Sequence, residues 1–561
     1  MKRRQLILGT VQTAWAAALR WTMPSALASV MRQAWSEPAE SGPHALPSAD
    51  QIAWQNLEMG MFVHFAPNTW QDVESDNLTT PLSAIDPKQL NTDQWARTAI
   101  SFGAKYIVFV AKHQGGFCMW QTQTTDYSIR NTPWRGGHGD VLADVSASCL
   151  KYGLKLGVYV CPRDDHFGAK TGGVCASPEL QAKYNVMYRQ QLTEVLSRYG
   201  EMIEIWFDGS TVTPVSDILS EYQPHAMIFQ GPSATIRWVG NEDGFAPYPC
   251  WNGIERVDAK TGTATSLNSN PDGDVWMPNE VDVSIRRPDW FWSTTNANKV
   301  MSLDQLLSVY YCSVGRGAQL LLNIPANREG LLSDPDCASA RIFGLELQKR
   351  FRKPLAETAG HGTEITLGLD APAQIDTVIL QEDIAKGERV RQYRIEGRSG
   401  GQWRTLGEGS SIGHKRIQPL ASIAVDALRV VATQSVGTPL FRSVAAFHAD
   451  APPPSGWNAA PQIWAANEVG DWHDHSFSID LTAKIDAAAQ YRLRFVPRTG
   501  TVTALKSVVL KLHGVAEPDL IKAITGKANE LILDITGVAE TVQVSGQVDG
   551  AASGDILLQK L

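Results

Sequence analysis

Short apolar runs that alternate with helical patterns constrain the fold of this chain more than any other feature. The runs are rich in β-branched and aromatic residues, and they lie at Met59–Phe65, Tyr106–Ala111, Leu154–Cys161, Ile203–Phe207, Ala226–Gln230 and Gln319–Ile324. Helical periodicity stands between them, most clearly at Thr92–Phe102 and Pro178–Tyr199. Strand–helix alternation predicts a parallel sheet with crossover helices, either an open doubly wound sheet or a closed (β/α)8 barrel.

Polar residues at the ends of these runs favour the barrel. His64, His113, Arg163 and Asp208 end or follow four successive runs, about 45 to 50 residues apart, which suits one βα unit with a generous loop. A barrel gathers the carboxyl ends of its strands at one mouth, where active sites form. No G-x-G-x-x-G follows the first run, which disfavours a dinucleotide-binding fold. We therefore expect a catalytic (β/α)8-like barrel over residues 50–353.

The pattern changes after the barrel. Residues 363–448 show short alternating segments without long helical runs, which predicts a β-sandwich over 360–450. The segment Ala451–Gly456 carries three prolines and reads as a stiff linker, and a second β domain is expected over 457–561. The predicted fold class is thus α/β plus all-β. The first sandwich resembles discoidin-like galactose-binding modules in its strand rhythm, and we expect it to serve mainly in packing.

Composition excludes several classes of protein. The chain has 50 Lys and Arg against 58 Asp and Glu, a net charge of -8, and no basic run beyond the N-terminus, which argues against a nucleic-acid partner. The seven cysteines form no C-x-x-C pair and no zinc-type cluster. Their odd number leaves at least one free thiol, and a disulfide or two remains open. The 18 tryptophans are a mild indication of sugar stacking.

The N-terminus predicts export. Met1–Arg4 is basic, Leu6–Ala18 is mostly apolar, and Ala26–Ala28 fits a signal-peptidase site. A signal peptide over 1–28 is expected, and the arginine pair is compatible with a twin-arginine route. Gln12 and Arg20 interrupt the apolar stretch, so no membrane span is expected. The protein would be periplasmic or secreted; the alternative is an unprocessed amphipathic extension.

Two segments could carry a pair of catalytic carboxyl groups. The run Ile203–Phe207 ends in Asp208-Gly209, which presents a carboxylate at the barrel mouth, although an ordinary Asp-Gly turn is the alternative. In Trp276–Ser284, Glu280 and Asp282 alternate with apolar residues and share one face of an extended segment. The alternative there is simple pairing with the arginines that follow. Two carboxyl groups flanking a sugar are the requirement for glycoside hydrolysis.

An ordered series of motifs from about Trp54 to Arg350 resembles the α-L-fucosidases of glycoside hydrolase family 29. The motifs are Gly60–Phe65, Thr92–Trp95, Gly103–Tyr106, Ala111–His113, Gly116–Cys118, Thr125–Ser128, Trp206–Gly209, Arg237–Gly244, Pro278–Arg286, Ser302–Leu306 and Leu320–Pro325. Pro278–Arg286 in particular resembles the subgroup that prefers branched α-1,3/1,4-linked fucose.

The resemblance implies a retaining mechanism on a (β/α)8-like barrel. Asp208 matches the family's nucleophile and Glu280 the subgroup's general acid/base, with Asp282 as the next candidate. His64 and His113 match residues that hydrogen-bond the sugar. The further residues expected to bind substrate are Glu74, Gln114, Tyr159, Arg163, Trp206 and Trp238. The expected partner is a fucosylated oligosaccharide or glycoconjugate, and neither a metal nor an organic cofactor is expected, because two carboxyl groups suffice.

Three departures from the family pattern affect the sugar pocket. Where the family usually reads K-H-H-D-G-F, this chain has Gln114 and Gly115 in place of the second His and the Asp. Ser75 stands where the family has Trp, and Arg163 stands where subgroup members commonly have Trp. These changes leave three alternatives open: a sulfated fucoside read by Arg163, an α-L-galactoside, and a catalytically silent carbohydrate-binding protein.

Overall fold

The structure is a computed structural model that describes residues 45–461, 467–481, 489–497, 501–513, 521–525, 528–535 and 541–560. The predicted signal peptide, residues 1–28, lies outside the described residues. In the described part of the chain, no helix is both long enough and apolar enough to span a membrane.

The first half of the chain folds into a nearly closed parallel barrel. Its strands and a neighbouring hairpin are β1 (Met59–Val63), β2 (Tyr106–Lys112), β3 (Lys155–Val160), β4 (Met202–Trp206), β5 (Met227–Phe229), β6 (Arg237–Trp238), β7 (Gly253–Ile254), β8 (Val275–Trp276), β9 (Asn279–Ser284) and β10 (Gln319–Asn323). Eight of these strands pair in the order β5-β4-β3-β2-β1-β10-β9-β6. An isolated parallel bridge between Phe229 and Ile236 joins the two end strands. The barrel confirms the predicted fold class.

Helices surround the barrel and bury its outer face. They are α1 (Ala49–Gln55), α2 (Asn68–Gln71), α3 (Thr92–Phe102), α4 (Val141–Tyr152), α5 (Pro178–Arg198), α6 (Ser216–Tyr222), α7 (Arg256–Ala259), α8 (Leu303–Cys312) and α9 (Asp334–Phe351). The predicted helix α3 is confirmed, and Asn91 caps it by accepting a hydrogen bond from the Gln94 N–H at 3.0 Å. Strands β1, β2, β9 and β10 are buried at every position, as expected for a parallel sheet covered on both faces.

Between β5 and β9 the barrel departs from a regular β/α repeat. Strands β5 and β6 are joined by the loop of residues 230–236 without a helix, and β7 and β8 form a separate antiparallel pair. Strand β6 has two residues, too few to show a strand pattern in the sequence. The loop that follows β6 nevertheless emerges at the carboxyl end of the barrel.

The second half of the chain is all-β, as predicted. Its strands are β11 (Ala356–His361), β12 (Glu364–Glu382), β13 (Val390–Ser399), β14 (Gln402–Gly409), β15 (Arg416–Ser435), β16 (Leu440–Phe447), β17 (Asn467–His473), β18 (Ser476–Asp480), β19 (Ala489–Pro497), β20 (Ala504–His513), β21 (Ile521–Thr525), β22 (Glu530–Ile535), β23 (Thr541–Asp549) and β24 (Gly554–Lys560). They form two antiparallel sheets, ordered β11-β16-β12-β15-β13-β14 and β20-β23-β18-β17-β24-β19-β22-β21. Each sheet buries its own hydrophobic cluster.

Polar contacts fasten the first antiparallel sheet to the barrel. The Arg416 guanidinium lies 3.9 Å from the Tyr248 ring centroid, within the range of a cation–π contact. The buried Glu388 carboxylate accepts hydrogen bonds from the Asn252 backbone N–H at 3.0 Å and from its side-chain amide at 2.8 Å. None of the seven cysteines, all of which are described, forms a disulfide, so noncovalent contacts hold this junction.

Helix α3 packs closely against α9 at Gly344. A Cβ added at Gly344 would lie 2.0 Å from the Ser101 carbonyl oxygen and 2.6 Å from the Phe102 Cα. We expect Gly344→Ala to destabilise the protein, because overpacking costs about 1–3 kcal/mol and outweighs the gain of about 1 kcal/mol in helix propensity. The thermal unfolding midpoint should fall, whereas Leu345→Ala at the exposed neighbour should leave it nearly unchanged. An unchanged midpoint for Gly344→Ala would contradict the packing.

Candidate active site

A cavity of about 150 Å³ opens at the carboxyl ends of the barrel strands. Its walls are built from the segments that follow β1, β2, β4, β6 and β9 and from inward-facing residues of the strands themselves. The residues that line it are Phe62, His64, Glu74, Ser75, His113, Gln114, Tyr159, Trp206, Asp208, Glu242, Asp282, Arg287, Pro288 and Trp290. The cavity therefore lies at the carboxyl ends of the strands, where the sequence placed the candidate site residues.

Asp208 follows β4 and projects its carboxylate into the cavity. The Tyr159 hydroxyl donates to Oδ2 at 2.8 Å and the Gln114 amide donates to the same oxygen at 3.1 Å. These two donors fix the carboxylate and leave Oδ1 directed away from them. Gly209 then turns the chain with φ of +73°, and a Cβ there would lie 2.5 Å from the Thr171 side chain, so the tight turn requires glycine.

His64 lies at the end of β1 and is held in one tautomer. The Asn323 side-chain oxygen accepts from the His64 backbone N–H at 3.3 Å and lies 2.8 Å from Nδ1. Because that oxygen acts as an acceptor, Nδ1 carries the proton and Nε2 is left as an acceptor for a hydroxyl group. Burial lowers the pKa of His64 to about 3, so the ring is neutral at pH 7.

His113 forms an aromatic wall beside His64. Its ring stacks on Tyr159 with centroids 5.6 Å apart and planes 16° apart, and it meets the Phe291 ring edge-on at 5.0 Å. The His64 and His113 centroids lie 5.7 Å apart. Both predicted sugar-binding histidines thus line the cavity, next to the donor that fixes Asp208.

Two further acids line the cavity with perturbed proton affinities. The Glu74 carboxylate accepts hydrogen bonds from the backbone N–H groups of Trp290 at 2.8 Å and Phe291 at 3.3 Å. Burial, with repulsion from Asp289 and Glu242, raises the pKa of Glu74 to about 8. Asp282 accepts from the Trp238 indole N–H at 2.6 Å. Burial and the neighbouring Glu242 raise its pKa well above the usual range.

Glu280, the predicted general acid/base, does not line the cavity that holds Asp208. It shares the inward face of β9 with Asp282, as expected, but it lies nearer the amino end of the strand, and it is fully buried. The Trp206 indole N–H donates to Glu280 Oε1 at 2.9 Å. Trp206 thus lies between Glu280 and the cavity, and the sequence pattern predicted the correct face of the strand but not the depth along it.

Two of the predicted substrate-binding residues lie outside the cavity lining. The Arg163 side chain is buried, its Nε pairs with the Asp165 carboxylate at 2.9 Å, and it is not part of the cavity lining. Trp238 contacts the site indirectly through its hydrogen bond to Asp282. The other six predicted binding residues line the cavity: His64, Glu74, His113, Gln114, Tyr159 and Trp206.

Glu242, Arg287 and Trp290 line the cavity and were not among the predicted site residues. Glu242 follows the short strand β6 and pairs with Arg287 at 3.1 Å, with side chains 28% and 20% exposed. Arg287 also reaches Asp243 at 3.5 Å. The motif Arg237–Gly244 contains Glu242, but the two-residue strand β6 leaves no strand pattern whose end would have marked this acid.

The glycine that replaces an acid in the loop after β2 has a packing reason. A Cβ at Gly115 would lie 2.3 Å from the Asp76 carboxylate, so Asp76 occupies that space. The Tyr127 hydroxyl donates to Asp76 Oδ2 at 2.5 Å and the Gln71 amide donates to Oδ1 at 2.7 Å. A buried, fully bonded carboxylate therefore remains beside this loop although residue 115 carries none.

Comparisons with known proteins agree on one family. The family model described as alpha-L-fucosidase matches residues 70–344. Alpha-L-fucosidase 1 of Arabidopsis thaliana is 34% identical over 421 residues, which cover 66% of this chain and 81% of the relative.

Solved structures extend the similarity to the full fold. A glycoside hydrolase 29 family member from an unknown rumen bacterium is 26% identical with a TM-score of 0.67, covering 93% of this chain and all of that one. A Ruminococcus gnavus GH29 fucosidase in complex with fucose is 26% identical with a TM-score of 0.65, covering 73% of this chain and 97% of that one.

Because His64 is neutral when folded, we expect the protein to lose stability as the pH falls. Its folded pKa of about 3 lies below its ordinary value of 6.5, so the unfolded chain takes up this proton first as the pH falls. The free energy of unfolding should therefore decrease between pH 6.5 and 3, by about 1.4 kcal/mol per pH unit from this residue. His64→Gln should flatten that dependence in denaturant unfolding at pH 7, 5.5 and 4.5. Parallel curves for wild type and variant would contradict it.

Proposed function

Because this chain belongs to glycoside hydrolase family 29, the α-L-fucosidases, we propose that it releases terminal L-fucose with retention of configuration through a covalent fucosyl-enzyme. The observation that supports this proposal is the Asp208 carboxylate in the cavity, held by Tyr159 and Gln114. A carboxylate fixed by two donors on Oδ2 keeps Oδ1 available for attack on the anomeric carbon. Retaining glycosidases use such a nucleophile together with a second carboxyl group.

Glu242 is our candidate for the second carboxyl group. It lines the cavity, and it is partly exposed to solvent, which both the leaving group and the incoming water require. The other acids are less suitable: both oxygens of Glu74 accept backbone N–H groups, and Asp282 is buried against the Trp238 indole. Repulsion between Glu242 and the neighbouring carboxyl groups of Glu74 and Asp282 favours protonation within this group of acids. After Glu242 has given up a proton, Arg287 stabilises its carboxylate.

The proposed reaction has two steps. Asp208 attacks C1 of the fucosyl residue while the glycosidic C1–O bond breaks, and Glu242 transfers its proton to the leaving oxygen, which departs as an alcohol. The Glu242 carboxylate then takes a proton from water, whose oxygen attacks C1 and breaks the bond to Asp208. His64 Nε2 and the Glu74 carboxyl group would hold the sugar hydroxyl groups during both steps.

The cavity's size and lining favour an unmodified terminal fucose. A volume of about 150 Å³ holds roughly ten water-sized groups, which suits one monosaccharide and therefore exo action. Phe62, Trp206 and Trp290 offer apolar surface for the methyl group of fucose. An α-L-galactoside places a hydroxyl group there, which such a surface disfavours by up to about 10²-fold.

A sulfated fucoside is disfavoured by charge. Among the described residues that line the cavity, the permanent cation is Arg287, and Glu242 and Asp243 already pair with it. A sulfate would enter a site already lined by Glu74, Asp208, Glu242 and Asp282, and even their partial ionisation opposes an anion. The preference for α-1,3/1,4-linked fucose is likewise proposed, and it is supported by the resemblance of Pro278–Arg286 to that subgroup.

Asp208→Ala tests the nucleophile. We expect the rate on 4-nitrophenyl α-L-fucoside to fall by roughly 10⁴-fold or more, because no covalent intermediate can form. Azide should restore part of the turnover by entering the vacated space and should give the β-L-fucosyl azide, identified by NMR. Turnover close to wild type, or an azide product of α configuration, would exclude Asp208 as the nucleophile.

Glu242→Ala tests the general acid/base, with Asp282→Ala as the matched control at a second cavity acid. Glu242→Ala should lower kcat/KM about 10²–10⁴-fold on a Lewis-type trisaccharide but much less on 2,4-dinitrophenyl fucoside, whose leaving group needs no proton. Added azide should give the α-L-fucosyl azide.

The control should slow both substrates by similar factors, because Asp282 would contact the sugar rather than the leaving group. If Asp282→Ala shows the dependence on the leaving group and Glu242→Ala does not, the acid/base assignment moves to Asp282.

A further inference from the structure

Two buried glutamates meet beneath the floor of the cavity. Glu204 comes from β4 and Glu280 from β9, both face the barrel interior, and neither is exposed to solvent. Their carboxyl groups hydrogen-bond to each other. Neither residue lines the cavity or takes part in the reaction steps above, so the pair needs a separate explanation.

Aromatic donors surround this pair. The Trp206 indole N–H lies 2.6 Å from Glu204 Oε1 and 2.9 Å from Glu280 Oε1. The Trp54 indole N–H donates to Glu204 Oε2 at 2.8 Å, and the Tyr106 hydroxyl lies 3.5 Å from Glu280 Oε2. Every direct partner is therefore a neutral donor or the other glutamate.

The pair retains a proton. Besides the two glutamates themselves, the ionisable groups with the largest effects on the pKa values of the pair are Asp282 on β9 and Tyr106 on β2, and neither supplies a positive charge. Burial raises the pKa of both glutamates, and the charge of Glu204 raises that of Glu280 further. Two adjacent carboxylates without a cation cannot both ionise in a dry interior, so one proton lies between them at neutral pH.

Trp206 connects this pair to the sugar site. Its N–H is bound to both carboxyl groups, and its ring lines the cavity. The ring stacks on Phe229 at 3.5 Å between centroids, and its centroid lies 5.1 Å from that of the tilted Phe62 ring and 6.1 Å from that of Tyr159. Tyr159 in turn donates to Asp208. A rotation of Trp206 would therefore disturb both the sugar wall and the donor that fixes Asp208.

We propose that Glu204 and Glu280 are positioning residues that share one proton and hold Trp206 as the wall against which the fucose ring is bound. The pair acts through the indole N–H and not through contact with the substrate. This inference rests on the proposed placement of fucose in the cavity. It also assigns Glu280 a role that its burial permits, in place of general acid/base catalysis.

The conservative substitution separates positioning from acid/base catalysis. Glu280→Gln keeps an oxygen for the Trp206 N–H and an N–H for the Glu204 carboxylate. Its kcat/KM should stay within about threefold of wild type on both the trisaccharide and the dinitrophenyl fucoside. A selective loss of at least 30-fold on the trisaccharide would overturn the proposal, because only an acid catalyst requires that pattern.

Binding of free fucose, measured by calorimetry, reports how a substitution affects the Trp206 wall without any contribution from the catalytic steps. Glu280→Ala should weaken binding about tenfold, and the loss should shrink to less than twofold when Trp206 is already Phe, because Phe has no N–H for the pair to hold. Gln319→Ala is the matched control: Gln319 is buried beside Glu280 on β10 and bonds to the Trp54 carbonyl and the Tyr106 hydroxyl. It should leave fucose binding within twofold of wild type.

The outcomes distinguish this inference from the proposed function. Equal losses from Glu280→Ala in the wild-type and Trp206→Phe backgrounds would show that Glu280 does not act through the indole, and would overturn the inference. An equal loss from Gln319→Ala would do the same, because it would reflect general damage to the barrel interior. Failure of the wild-type protein itself to bind fucose would instead overturn the proposed placement of fucose. If Glu280→Ala does not fold, Glu280→Gln and Trp206→Phe still decide the question.

Discussion

Side chains alternate between the interior and the helical shell along each barrel strand, and this alternation sorts the inward-facing acids into two layers. Glu280 and Asp282 occupy successive inward positions on β9, and Glu204 and Asp208 occupy inward positions on and just beyond β4. Trp206 separates the lower acids, Glu204 and Glu280, from the cavity, whereas the upper acids, Asp208 and Asp282, line it. The depth of a carboxyl group along its strand therefore determines whether it can contact a molecule in the cavity or can only hold neighbouring side chains in place.

The same layering sets the electrostatics of the site. Glu74, Asp208, Glu242 and Asp282 line one small cavity together with Arg287, so protons and hydrogen bonds must offset much of the charge. Different donors do this for each acid: backbone N–H groups for Glu74, an indole for Asp282, and a phenol and an amide for Asp208. A transition state with positive charge at the anomeric carbon gains from such a lining, whereas an anionic substituent does not.

The sequence predicted the barrel, the all-β second half and most of the cavity lining because strand ends follow from hydrophobic patterning. His64, His113 and Asp208 were located in this way. Glu242 was not predicted because β6 has only two residues, which are too few to show a strand pattern in the sequence. The sequence did not reveal that Glu280 lies below the cavity, because a period of two specifies a face of the strand but not the layer. Arg163 was misplaced because its pairing with Asp165 depends on a loop conformation that patterning does not determine.

The proposed mechanism depends on a covalent bond between Asp208 and fucose in this cavity. The most direct measurement is trapping with 2-deoxy-2-fluoro-fucosyl fluoride, followed by mass spectrometry of the digested protein. The fluorine slows hydrolysis of the intermediate, so we expect the mass of one fluorofucosyl group on the peptide that contains Asp208. A label on Glu242, Glu280 or Asp282, or an unlabelled enzyme that releases fucose with inverted configuration, would exclude Asp208 as the nucleophile.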